Sequence, residues 1–284
     1  MKKIEFKSYE AYALVTGAAS GMGRVYAGRL AAMGYNLVLV DINSSGLDET
    51  AGIVSSDIDK AENISPEDRS KFRILKLVQD LSVMEAAEKV YSQVEAADCK
   101  VEVLVNNAGI MFCSGIDITS EKMLSRIMMV HMYTSLMLCR KFIVPMKERG
   151  NGYILNISSL AAWMNWPAIG MYGNTKRFVR DFSRELRIEA RGTGVSVTNA
   201  YFGAVDTPLI KLKPSLHKLA HNLGVMIYPE KAVDRALNAT FRRKKGTMPG
   251  FCNHIFKPIV RILPDSLLAY AYRTALKHDW MMHV

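Results

Sequence analysis

Cysteine is scarce in this chain of 284 residues. Cys99, Cys113, Cys139 and Cys252 have neither the close pairing of a metal site nor the spacing of a disulfide framework. No metal centre is expected, and a reduced, cytoplasmic setting is the expectation for the whole protein. Long apolar runs are missing too: none approaches the roughly 20 residues that a membrane-spanning helix needs. Residues 1–10 are charged and lead straight into an apolar stretch, so no secretory signal is expected. There is no internal repeat and no low-complexity tract. The formal net charge is +10, partly concentrated at Arg242-Arg243-Lys244-Lys245, yet no aromatic platform sits among the basic residues. The charge therefore reads as a solvated basic surface, and no nucleic-acid partner is expected.

What is present is a regular alternation. Apolar strand-like runs at 11–15, 36–40, 73–78, 101–106, 152–156 and 195–200 alternate with helical stretches at 22–33, 84–97, 121–147, 171–191 and 229–242. A seventh strand is expected near 246–249. Alternation of this kind with short connections predicts a parallel sheet covered by helices. Residues 43–72 are longer and polar and read as a helix plus a loop.

Three clusters carry chemistry. In Met171-Tyr172-Gly173-Asn174-Thr175-Lys176 a phenol and an ammonium lie one helical turn apart on one face. A cation beside a phenol favours the phenolate, so Tyr172 is expected to have a lowered pKa and to exchange a proton with an alcohol or ketone. Upstream, Tyr153-Ile154-Leu155 runs into Asn156-Ile157-Ser158-Ser159, small polar residues at a strand end, where a serine could bond a substrate oxygen. At the N-terminus a strand, the turn Thr16-Gly17-Ala18-Ala19-Ser20-Gly21-Met22-Gly23 and a helix form an arrangement that cradles a dinucleotide pyrophosphate. Such a cleft accounts for part of the positive charge.

These motifs, with Asn106-Asn107-Ala108-Gly109 and Gly203-Ala204-Val205-Asp206-Thr207, resemble the short-chain dehydrogenase/reductase family over roughly residues 10–240. The layout is similar to its hydroxysteroid dehydrogenases and ketoacyl reductases. The resemblance implies a Rossmann-type doubly wound parallel sheet of about seven strands with helices on both faces. That domain spans 1–249, and a C-terminal helical extension of it spans 250–284. It implies an oxidoreductase acting on CH–OH groups with NAD(P). Tyr172 is then the general acid/base, Lys176 lowers its pKa and bonds the nicotinamide ribose, and Ser159 holds the substrate oxygen. Cofactor contacts fall to Gly17, Ser20, Gly21, Met22, Gly23, Asp41, Asp80, Asn107, Ala108, Gly109, Tyr172, Lys176, Gly203, Val205 and Thr207.

Asp41 closes the second strand, where an acid accepts hydrogen bonds from the adenosine ribose and repels a 2′-phosphate. Ser20 stands where NADP enzymes of the family often carry a basic residue. Arg24 lies just beyond, but Asp41 outweighs it, so NAD is expected rather than NADP. The plainer alternatives are a loop-capping role for Asp41 and an N-cap role for Asp80. Phe202 replaces the family's usual proline before Gly203. The family's catalytic asparagine appears as His131 in Met128-Met129-Val130-His131-Met132-Tyr133, where a histidine able to bond a relay water could stand in. The alternatives are that His131 only fills a helix contact, or that the protein is a dinucleotide-binding sensor or scaffold with little turnover.

Met111, Phe112, Trp163, Met164 and Trp166 flank the motifs, and Pro208-Leu209-Ile210-Lys211-Leu212-Lys213 with Leu216, Leu219, Leu223 and Met226 stands in the lid position. Such a wall suits a lipophilic steroid, bile acid or fatty-acyl substrate, which places the protein in lipid metabolism; the plainer alternative is that these residues, Trp163 and Trp166 among them, belong to the core. In the extension, Pro264 and Asp265 open a helix with Leu267, Leu268, Ala271, Tyr272, Ala275 and Leu276 on one face, preceded by Ile255, Phe256, Ile259 and Val260. It packs on the core or a subunit, or lies at a membrane surface as a peripheral contact. The family habit implies a homodimer or homotetramer. If His131 serves the relay, His131→Asn leaves or raises turnover. A loss beyond about tenfold in steady-state kinetics, without unfolding, would count against that role.

Overall fold

Runs such as Leu37-Val38-Leu39-Val40 suit strands buried on both faces, and they fold that way. The computed structural model describes residues 6–167, 169–207, 226–249 and 262–277. The strands are β1 (Tyr12–Thr16), β2 (Asn36–Asp41), β3 (Ile74–Val78), β4 (Val101–Asn106), β5 (Gly152–Ser159), β6 (Val195–Phe202), β7 (Ala204–Val205), β8 (Met226–Ile227) and β9 (Gly246–Thr247). Seven form one sheet in the order β3-β2-β1-β4-β5-β6-β9, parallel throughout, and β7 pairs with β8. Chain order reverses between β1 and β4, which opens a crevice beyond their C-terminal ends.

Successive strand residues face opposite layers. Val15, Leu39 and Val105 join Leu30 of α1 (Gly21–Ala32), Leu47 of α2 (Ser44–Lys60) and residues of a later helix in one core. Leu14, Val38 and Leu104 face the other, with Val90 of α4 (Ala86–Ala96), Phe142 of α6 (Ser135–Glu148) and Leu186 of α7 (Gly170–Glu189). Between them in sequence lie α3 (Pro66–Lys71) and α5 (Glu121–Met128), and after them α8 (Pro229–Phe241) and α9 (Asp265–Lys277).

Several expected boundaries move, each for a local reason. β5 runs past Asn156 to Ser159 and β6 past Ala200 to Phe202, because their ladder continues through Ser159 and Phe202. The 43–72 segment makes two helices rather than one, since Asn43 caps Gly46 and Ser65 caps Asp68. The long helix expected at 121–147 is split: a π turn, Met129–Thr134, joins α5 to α6 and turns Val130, His131 and Thr134 inward. This continuous helix, Glu121–Glu148, is long and apolar enough to cross a bilayer, although no apolar sequence run suggested one. Here α6 packs on β4, β5 and α4, which accounts for its composition.

In α9 Leu268 is buried, with Ala271 and Tyr272 half-buried, but Leu267 points to solvent, 49% exposed. The expected apolar face is therefore divided. The lid residues at 208–225 and Ile255, Phe256, Ile259 and Val260 lie outside the described residues.

Beneath the crevice, a buried polar network ties three elements. Asn106 Nδ2 donates to Asn156 Oδ1 at 2.8 Å, Asn156 Nδ2 donates to Ser183 Oγ at 2.9 Å, and Ser183 Oγ donates to the Val179 carbonyl at 2.6 Å. Such a network is costly to break because each freed group stays dry. Asn156→Leu is expected to lower unfolding free energy by about 1–3 kcal/mol. A shift in the urea midpoint at constant m-value is the measurement, and no shift would mean that the network is replaceable.

Candidate active site

The register of β5 decides where the chemistry sits. Ser159, its last residue, has extended backbone; its Oγ accepts from the Ala161 amide at 3.1 Å and donates to the Phe202 carbonyl at 3.2 Å. Phe202, buried at the end of β6, offers its backbone carbonyl to Ser159, an acceptor that a proline at this position would keep. Ser158 Oγ donates to the Lys176 carbonyl at 2.7 Å, which docks the first turns of α7 on the strand end. Lys176 is almost fully buried, and its Nζ donates to the Ile157 carbonyl at 2.9 Å. Nζ lies 5.8 Å from the ring centroid of half-buried Tyr172, and the phenol has a hydrogen-bonding interaction with Ser159. The structure thus gathers Ser159, Tyr172 and Lys176 as expected.

Their ionisation differs from the expectation in one respect. Burial pushes the Lys176 ammonium down to about 8. Burial also raises the Tyr172 phenol above its ordinary value, and the Ser159 bond offsets only part of that rise. Lys176 does not lower the phenol here, because its ammonium is directed at Ile157 rather than at the Tyr172 hydroxyl.

His131 joins the same cluster. It is buried, with its ring edge-on to Tyr172 at 5.7 Å between centroids. Nε2 accepts from the Ile110 amide at 3.0 Å, and Nδ1 stands 2.8 Å from Thr175 Oγ1. Burial first, and the Lys176 charge second, hold its pKa well below the usual imidazole value. Thr175, which the motif reading passed over as spacer, is fully buried and contacts both His131 and the Tyr172 carbonyl. Only the helix periodicity of the motif could have marked it as inward-facing.

The glycine turn lies across the crevice. Gly17 has φ +67°, and a Cβ there would come within 2.9 Å of Ala108 Cα. At Gly23 a Cβ would fall 1.9 Å from the Gly17 carbonyl oxygen, so only glycine lets α1 approach its own loop. Ser20 is the exposed N-cap of α1 and its side chain caps nothing; the first turn, Gly21, Met22 and Gly23, carries no acid. Amides left uncapped at a helix N-terminus favour an anion. Thr16 Oγ1 accepts from the amides of Asn107 and Ala108, and Asn107 Nδ2 donates to the Thr16 carbonyl, which locks the turn to the end of β4. Gly109 passes so close to the cluster that a Cβ would meet His131 Nε2 at 3.1 Å and Lys176 Nζ at 3.7 Å.

Asp41 lies at the rim, accepting from the Ala19 amide at 3.1 Å and the Asn43 amide at 3.0 Å, so it does cap its loop. Each carboxylate oxygen keeps acceptor capacity beyond those bonds. Arg24 is committed elsewhere: both terminal nitrogens bind Glu49 at 2.7 Å, and Nε binds Thr50. Asp80 accepts from Ser82 through backbone and hydroxyl and is not the N-cap of α4, a position held by Glu85. Gly203 and Thr207 are half-buried around buried Val205, near the end of β6. Met111, Met164 and Trp166 are half-buried and Phe112 buried, whereas Trp163 meets Tyr201 edge-on and the Arg180 guanidinium of α7.

A dinucleotide-shaped crevice beside a serine, a tyrosine and a buried lysine defines an oxidoreductase working with a nicotinamide dinucleotide. A family profile described as short chain dehydrogenase matches residues 11–215, and the chain belongs to that family, whose members act on CH–OH groups with NAD(P). Estradiol 17-beta-dehydrogenase 11 of Macaca fascicularis is 28% identical over 263 residues, which cover 92% of this chain and 81% of the relative. Very-long-chain 3-oxoacyl-CoA reductase of Homo sapiens is 32% identical over 219 residues, 73% of this chain and 64% of that protein. A solved 7beta-hydroxysteroid dehydrogenase shares the fold, with a TM-score of 0.78 at 21% identity, over 93% of this chain and 97% of that one.

Lys176 also carries a stability cost. Its folded pKa of about 8 lies below the ordinary value of 10.5, so between those values the unfolded chain binds more protons. Stability gained from this group therefore rises with pH across that window, and the penalty is fullest below it. Lys176→Met is expected to raise the denaturation midpoint at neutral pH, with the advantage shrinking as pH climbs from about 8 toward about 10. Calorimetry of both proteins across pH would show a constant difference if the lysine were not desolvated.

Proposed function

We propose that the protein interconverts a secondary alcohol and a ketone on a lipophilic substrate of steroid, bile-acid or fatty-acyl type, with NAD preferred over NADP. The observation that carries this reading is the meeting of Ser159, Tyr172 and Lys176 at the C-terminal end of β5, beside the α1 cradle. The cradle fits a pyrophosphate, since the first turn of α1 carries no acid and its amides have no side-chain cap. Bound nicotinamide would supply the hydride acceptor or donor, at its ring carbon C4.

For oxidation, the Ser159 hydroxyl holds the substrate oxygen and the Tyr172 phenolate takes the hydroxyl proton as the carbinol hydrogen leaves as hydride. For reduction, Tyr172 returns that proton to the carbonyl oxygen. Lys176, cationic below a pH of about 8, stands 5.8 Å from the Tyr172 ring and can bond the nicotinamide ribose. Gly17, Ser20, Gly21, Met22 and Gly23 would hold the pyrophosphate, Asn107, Ala108 and Gly109 the adenosine ribose, Asp80 the adenine, and Gly203, Val205 and Thr207 the carboxamide. Asp41 favours the free ribose hydroxyls of NAD, and Arg24 is engaged by Glu49 in a bidentate pair rather than left open to a 2′-phosphate.

The half-buried Met111, Met164 and Trp166 favour a lipophilic substrate. Relatives named for estradiol and for 3-oxoacyl-CoA point the same way. A scaffold without turnover gains no support from a site in which all three catalytic groups meet. We also propose that residues 250–284 act as an extension of the 1–249 domain, with Leu267 and Tyr270 as a peripheral membrane contact on the cytoplasmic side. Subunit pairing would use α6 and α7, where Leu136, Phe178 and Phe182 line a shallow groove.

Turnover measured at the NADH band, with NAD and then NADP against hydroxysteroids, bile acids and aliphatic secondary alcohols, tests the reaction. Tyr172→Phe is expected to cut it by about a hundredfold or more while dinucleotide binding persists. Unchanged turnover in that variant would refute the assignment of the acid/base.

A further inference from the structure

The His131 ring has no nitrogen to spare. Nε2 accepts from the Ile110 amide, and an imidazolium, which has a proton on both nitrogens, could not accept there. The Thr175 hydroxyl donates its one proton to the Tyr172 carbonyl at 2.8 Å, so the 2.8 Å contact between His131 Nδ1 and Thr175 Oγ1 requires that Nδ1 be the donor. The three bonds are consistent with one arrangement only: a neutral ring, protonated on Nδ1, between a backbone amide and a hydroxyl. Both ends lead to the site. Ile110 follows Gly109 at the cofactor side of the crevice, and Thr175 lies one turn along α7 from Tyr172 and directly before Lys176.

We propose, resting on the reading of the site given above, that His131 is a positioning residue: a neutral strut that ties the 107–110 segment to the α7 turn bearing Tyr172, with Thr175 as its obligatory partner. It does not carry a relay proton or hold a relay water through its ring. The π turn is what brings the ring inward; in an unbroken α-helix its registration against Ile110 and Thr175 would shift. Among the described residues the titratable groups facing the ring are Tyr172, edge-on, and Lys176. A positive charge on the ring would stand beside the Lys176 ammonium and would break the Ile110 bond. The strut therefore stays neutral across the working range of the enzyme.

The two legs can be cut separately. The amide nitrogen of Asn can take the place of Nδ1 but the side chain does not reach Ile110, whereas Gln brings an acceptor to the place of Nε2. Cutting the Ile110 leg with His131→Asn is expected to raise the KM for NAD by about tenfold with a smaller change in kcat. Cutting the Thr175 leg with His131→Gln or Thr175→Val is expected to lower kcat by about tenfold, with NAD binding little changed, and Thr175→Ser is expected to restore it. The direct readout is nitrogen NMR of histidine-labelled full-length protein, with the His131 signals assigned by their loss in His131→Gln. The expected spectrum has a protonated Nδ1 and an unprotonated Nε2, constant from about pH 5 to about pH 8.5.

A ring that titrates in that range, an Nε2-protonated tautomer, or wild-type kinetics in His131→Asn would overturn the strut. The NMR readout needs no turnover. If Tyr172→Phe kept full activity the proposed reaction would fall, yet the spectrum would still decide the strut.

Discussion

A buried ammonium is the constraint on which the rest of the site depends. Moving an isolated cation out of water costs several kcal/mol unless something answers its charge. Here the answer is a backbone carbonyl, Ile157 O, at the end of β5. For that carbonyl to be in place, β5 must stay extended beyond Asn156, and it does so because β6 pairs with it up to Phe202. The same extension presents Ser158 to the Lys176 carbonyl and Ser159 to the Tyr172 phenol on alternate sides of one strand. The depressed pKa of Lys176 is the residue of that cost, a stability concession made where a cation stands close to a phenol.

The crevice and the catalytic cluster are coupled through one loop. Thr16 at the end of β1 holds the amides of Asn107 and Ala108, and His131 holds that of Ile110. The segment between them is pinned at both ends, with Gly109 where a Cβ would press on His131 Nε2 at 3.1 Å. The glycine turn, the β4 end and α7 are therefore joined by direct hydrogen bonds, and the Asn106–Asn156–Ser183 network lies beneath them.

Much of this was legible in the residues. Apolar runs gave the sheet, and glycine spacing with Tyr172 and Lys176 gave the two halves of the site, because period and spacing are local properties of the chain. Asp41 and Arg24 were both noticed as cofactor determinants, but not that Glu49 holds Arg24, since that pairing joins α1 to α2. Trp163 reads as either pocket wall or core, and its packing on Tyr201 is something a residue's neighbours in sequence do not reveal. The phenol's pKa was misjudged for the same reason: spacing along a helix brings two charges near each other, but burial is set by everything packed around them.

The sequence by itself determined the layered α/β fold, its family, and the residues that are candidates for the reacting groups. These follow from periodicities of two and of about four residues and from short motifs. Only the tertiary structure decided what His131 is bonded to. Its partners, Ile110 and Thr175, lie 21 and 44 residues away. A ring nitrogen's role as donor or acceptor depends on what packing places opposite it, and that information is absent from any local stretch of chain.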